Sequence, residues 1–75
     1  MVDALIWLSE GRPLDDSRRS LLVEAGPSFV RDVHLGFVVI DRSRSPSDLR
    51  AFAIDAFRLQ LVDSDTSLDL YRPLP

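Results

Sequence analysis

The sequence predicts a small α/β domain, with α+β as the alternative. Two helices should pack on a three- or four-stranded sheet in the order β-α-(β)β-α-β. Three observations carry this expectation. Leu49 to Phe57 places apolar residues at helical spacing, Ser28 to Asp41 is rich in β-branched and aromatic residues, and capping or turn residues punctuate the chain between them.

Val2 to Leu8 reads as the first strand. Ala4, Ile6 and Leu8 share one face, and Leu5 and Trp7 the other. Apolar residues on both faces suit a central strand better than a solvated edge. Gly11, Arg12 and Pro13 end it. Asp16 to Ala25 reads as the first helix, with Asp15 as N-cap and Asp16 where the helix dipole favours negative charge. Leu21, Leu22 and Ala25 would form its buried stripe. Gly26 followed by Pro27 reads as a stop, because glycine accepts the left-handed conformation and proline cannot continue the hydrogen-bond ladder.

Ser28 to Asp41 then reads as extended chain, with Phe29 to Val33 as a short strand paired with the later part. His34 would lie on the same strand face as Val38 and Ile40. Arg42 to Asp48 is a loop, and its SPSD segment fits a capping box with Ser45 as N-cap. The second helix should run from Pro46 to about Val62. Leu49, Phe52, Ala53, Ala56 and Phe57 give its apolar stripe, and Ile54, Leu59 and Leu61 widen the stripe to roughly 200°, where about 100° is usual for a surface helix. Ser67 to Tyr71 reads as a short last strand, followed from about residue 72 by a frayed tail containing Pro73 and Pro75.

The chain has 75 residues and no cysteine, so a single domain without disulfide support is expected. A core of this size supplies only about 3–5 kcal/mol, and a partner chain is one route to more. The net charge of −3 disfavours nucleic-acid duplexes, whose phosphates call for cationic contacts. Neither a basic leader nor an apolar run of membrane-spanning length is present in the sequence, so a cytoplasmic location away from membranes is expected.

Chemistry-bearing patterns are sparse. In DSDTSLD, residues 63–69, Asp63, Asp65, Ser67 and Asp69 match alternate positions of a calcium loop. The loop's glycine and bidentate glutamate positions hold Leu68 and Leu74 instead. His34 is the one histidine, too few for a zinc site without cysteine. No serine sits in a nucleophile elbow, and Gly11, Gly26 and Gly36 are too scattered for a phosphate loop. The chain is therefore expected to be non-catalytic, without metal or cofactor.

The wide stripe on the second helix instead predicts a protein–protein interface made by Trp7, Ile54, Phe57, Arg58 and Leu61, with a second copy or a different chain as partner. The function expected is that of a subunit, regulator or inhibitor of a larger complex. Two alternatives are a nucleic-acid patch of Arg18, Arg19, Arg42 and Arg44, and an acidic nucleic-acid mimic presenting Asp15, Asp16, Asp63, Asp65 and Asp69.

Overall fold

Among residues 1–74, which a computed structural model of the chain describes, three helices and three strands follow one another. They are α1 (Val2–Ser9), α2 (Asp16–Asp32), β1 (Val38–Asp41), α3 (Ser47–Phe57), β2 (Leu59–Ser64) and β3 (Leu68–Pro73). The class is the mixed α/β one that the sequence predicts, with helices on a three-stranded sheet. The sheet order is β1-β3-β2, and both outer strands run antiparallel to β3. β1 and β2 are therefore parallel to each other, and β3 is inserted between them. The shortest dimension is 16 Å, enough for one helical layer on one sheet.

The first element is a helix, not a strand. Met1, Ala4, Leu5 and Leu8 follow the i, i+3, i+4, i+7 spacing, and Ala4 and Leu8 are buried while Val2 and Ile6 are exposed. A short apolar run fits both periods, and here the helical stripe finds a surface to cover. A Schellman motif closes α1: Arg12 N–H bonds to the Trp7 carbonyl (3.2 Å), Gly11 N–H bonds to that of Leu8 (3.0 Å), and Gly11 has φ 80°.

α2 begins as expected, with the Asp15 carboxylate accepting Arg18 N–H at 2.8 Å. It does not stop at Gly26-Pro27 but continues for another turn and a half to Asp32, so Phe29 to Val33 is helical rather than a strand. Gly26 is buried where α2 touches α3 most closely, leaving no room for a side chain. Pro27 lacks the N–H that would return to the Val23 carbonyl. That carbonyl accepts from Arg58 Nη1 at 3.2 Å instead. α2 ends at a second Schellman motif with His34 at φ 53°, exposed and off any strand.

α3 is the central helix. Phe52, Ala53, Ala56 and Phe57 are buried in one cluster with Leu8 from α1, Ile40 from β1, Leu59 from β2 and Tyr71 from β3. Phe57 stacks on Phe29 of α2, ring centroids 5.5 Å apart. The wide apolar arc is thus largely covered within the chain by α1, α2 and the sheet. Pro46 is the N-cap and no side chain caps it, so the Ser45 capping box does not form. α3 ends at Phe57, five residues earlier than expected, because Arg58 turns the chain at φ 53°. Leu59 to Ser64 then pairs with β3 as a hairpin with an irregularity between Leu61 and Asp63. β3 extends to Pro73, beyond the expected end: Arg72 and Pro73 pair with Gln60 and Leu59, and Leu74 N–H bonds to the Arg58 carbonyl.

Candidate functional site

A groove of about 360 Å³ runs between α1 and β1, with α3 as its floor. Leu5 and Ile6 form the α1 wall. Leu49, Ala53 and Phe57 form the floor, and Val38 to Ile40 the far wall. Each element brings its share for a local reason. α1 turns Leu5 towards the core beside Leu8, which leaves Ile6 at the rim. α3 presents one long stripe, of which α1 covers only part.

The β1 wall is also an open sheet edge. Arg42 N–H donates to the Ser67 carbonyl at 2.8 Å, so the Arg42–Ser67 pair is a hydrogen-bonded one. In an antiparallel ladder such pairs alternate, which makes Ile40↔Asp69 and Val38↔Tyr71 hydrogen-bonded as well. The N–H and C=O of Val39 therefore point away from β3, to the groove side. The Asp41 carbonyl is already taken by the N–H groups of Arg44 and Ser45 (3.2 and 2.9 Å). The free edge is short, as exposed edges of native sheets generally are. The Val39 side chain lies on the outer sheet face and is 62% exposed.

The residues expected to make the interface do not come together there. Of the five, Phe57 alone lines the groove, and at 5% exposure it belongs mainly to the core. Ile54 is half-buried against the same cluster. Arg58 is a clamp: its guanidinium bonds to the Asp55 carbonyl, to that of Ala56 (3.2 Å) and to that of Val23 (3.2 Å). Trp7 donates its indole N–H to the Pro13 carbonyl at 2.9 Å, and Arg12 lies over its ring at 4.6 Å. Leu61 is 53% exposed on β2, the edge opposite β1.

The four arginines of the expected nucleic-acid patch have different duties. Arg19 pairs with Asp55 at 2.8 Å, and Arg44 lies 3.8 Å from Asp41. Arg42 pairs with the buried Asp69 and also donates to the carbonyls of Asp65 (2.6 Å) and Thr66 (2.7 Å). Only Arg18 has no ion-pair partner among the described residues, and it contributes its backbone N–H to the α2 cap.

The DSDTSLD stretch forms the end of β2, a tight turn and the start of β3. Asp65 accepts the N–H groups of Leu68 (2.9 Å) and Ser67 (3.0 Å), Asp63 accepts that of Ser64 (2.8 Å), and Asp69 faces Arg42. Its carboxylates thus turn to separate partners, those of Asp63 and Asp65 inside the hairpin and that of Asp69 to Arg42 just beyond β1. Among the described residues, no group of three or more His, Cys, Asp or Glu is placed to hold a metal ion. Hydrogen bonds from Leu68 and then Ser67 hold the Asp65 carboxyl below its ordinary value of 3.8, and a hydrogen bond from the Ser43 side chain does the same for Asp41. As a nucleic-acid mimic the set is incomplete, since Asp69 is buried and Asp15 caps α2.

A larger depression, about 610 Å³, lies between Pro27, Val30 and Arg31 on α2 and Pro73 and Leu74 at the end of β3. It borders β3, which is paired on both sides, and so lacks a free backbone edge. No helix among the described residues is long and apolar enough to cross a membrane. No protein-family model, curated protein or solved structure matches the chain.

Proposed function

We propose that this chain is a small, non-catalytic binding module that receives an extended segment of another protein in the α1–β1 groove. The observation that supports the reading is the coincidence of a free strand edge at Val39 with an apolar floor of Leu49, Ala53 and Phe57. An added strand needs both: main-chain hydrogen bonds supply affinity, and pockets for alternate side chains supply selectivity. The partner's alternate residues would rest on the α3 floor and against Ile6. The edge is short, so binding in the micromolar range is expected rather than permanent assembly. The nucleic-acid reading has less support, since phosphates would compete with Asp55, Asp41 and Asp69 for three of its four arginines.

Selection of displayed random peptides against the immobilised chain tests this. Peptides with alternating apolar residues should be enriched on the natural sequence. Val39→Pro removes the edge N–H, and Ile6→Glu puts a charge on the rim. Both positions are exposed, so both variants should keep their far-UV circular dichroism and lose the enrichment. No enrichment, or enrichment that survives both substitutions, would refute the reading.

A further inference from the structure

One end of the groove is not apolar. Arg50, in the first turn of α3, and Ser45, just before it, line that end beside Leu49. Arg50 is half-buried. Among the described residues it has no carboxylate partner, as is also true of Arg18, Arg31, Arg58 and Arg72, but of these arginines Arg50 is the one that lines the groove. No hydrogen bond engages its guanidinium or the Ser45 hydroxyl among those residues, and no side chain caps the amino end of α3. A guanidinium beside an apolar cleft has a stronger claim on a carboxylate than one in open water, because the surrounding low dielectric strengthens the pairing.

We propose that the occupant of the groove is an extended peptide segment with alternating apolar residues and an aspartate or glutamate side chain that pairs with Arg50. This rests on the binding-module reading above and adds the chemistry of the partner. The apolar residues sit on Leu49, Ala53 and Phe57, the backbone pairs with Val39, and the acid lies past the Asp41 end of β1, where Arg50 and Ser45 wait. A second copy of the chain is the poorer occupant. The carboxylate its own β1 would bring, Asp41, already accepts the Ser43 N–H (2.9 Å) and hydroxyl (2.6 Å) and lies near Arg44.

The test uses peptides selected in the same way on the natural chain and on Arg50→Gln. On the natural chain, Asp or Glu should be enriched at one fixed distance from the apolar residues. On Arg50→Gln the apolar preference should persist and the acidic one vanish. A selected peptide remade with Gln for its acid should bind at least about tenfold more weakly to the natural chain, and equally to Arg50→Gln. Amidating the peptide's C-terminus should change nothing; a loss on amidation would assign the pairing to a chain terminus and overturn the side-chain proposal. Enrichment of apolar residues alone would overturn the acidic partner while leaving the groove reading standing. No enrichment at all would remove both. A concentration-dependent dimer whose amide signals at Val39 and Leu5 shift on dilution would hand the groove to a second copy.

Discussion

Replacing Gly26 by alanine sets two effects of opposite sign against each other. In a helix interior the change is intrinsically favourable by about 1 kcal/mol, since glycine is a poor helix former. In this fold a Cβ at residue 26 would stand 1.6 Å from the Ala56 carbonyl oxygen and 2.4 Å from its carbon. Both atoms are backbone of α3, so neither can rotate away. Reaching even 3.0 Å, the closest that real Cβ contacts come, requires α2 and α3 to part by about 1.4 Å. A radial gap of about 0.5–1 Å already forfeits a quarter to a half of a dispersion contact. The parting would also open the Phe29–Phe57 stack, now at 5.5 Å between centroids and worth about 0.5–1.5 kcal/mol beyond its area.

Overpacking in cores costs about 1–3 kcal/mol, and a clash of this depth against backbone belongs at the top of that range or above it. After the helix-propensity gain, Gly26→Ala should destabilise the fold by about 2 kcal/mol or more. A domain of this size holds only about 3–5 kcal/mol, so roughly half its stability would go. Urea unfolding followed by circular dichroism and Trp7 fluorescence should show the midpoint falling by about 1–2 M at unchanged slope. Gly36→Ala is the control: nothing lies within 4 Å of its Cβ position, and its midpoint should hardly move. If Gly26→Ala is as stable as the natural chain, α2 and α3 do not cross in backbone contact at residue 26, and the glycine has no packing reason to be there.

Arg42→Met keeps the alkyl stem but removes the contacts to Asp69 and to the Asp65 and Thr66 carbonyls. With Arg42 about a third exposed, the loss should be about 2–3 kcal/mol, below that of a fully buried pair, and a double-mutant cycle with Asp69→Asn should show strong coupling; additive effects would count against the clasp. His34 holds φ 53° at the end of α2, a conformation glycine adopts without strain. His34→Gly should therefore stabilise the chain by about 0.5–1 kcal/mol, raising Tm by several degrees in a thermal melt, and an unchanged or lower Tm would refute this. The carboxyls of Asp65 and Asp41 titrate below 3.8 in the fold, so the folded chain keeps their charges to lower pH than the unfolded chain does. Their contribution is complete above 3.8 and fades as pH falls through the lowered values; Asp65→Asn should flatten the decline in urea midpoint in that acid range, and an unaltered pH profile would argue against the turn geometry.

What is legible in the sequence depends on how local the deciding interaction is. The heart of α3 is readable because Leu49, Phe52, Ala53, Ala56 and Phe57 repeat at helical spacing whatever surrounds them. The Asp15 cap is readable because its partner, Arg18 N–H, is three residues away. Gly26-Pro27 misleads because what decides there is not local. Glycine serves the crossing with Ala56, and the carbonyl that proline leaves unpaired is met by Arg58, 35 residues beyond Val23. Where α3 ends is hidden for a related reason. Leu59 and Leu61 suit a helix stripe and a strand face equally, and the chain reverses at an arginine, a residue type with no preference for the left-handed region.

The groove escapes the sequence for a reason that ties it to the first element. Had Val2 to Leu8 been a strand, its backbone groups would have needed a strand to pair with, and β1 offers a free edge. Paired there, it would have closed the sheet at Val39 and left α3 with a bare stripe, which is where the apolar arc alone puts an interface. As a helix, the same residues lie on α3 through Ala4 and Leu8 and cover part of that stripe, and the β1 edge stays open beside them. So the period of one eight-residue segment decides which surface of this chain is left uncovered. Its helical period moves the candidate site from the face of α3 to the cleft between α1 and β1, where Phe57 is shared by the core and the groove floor.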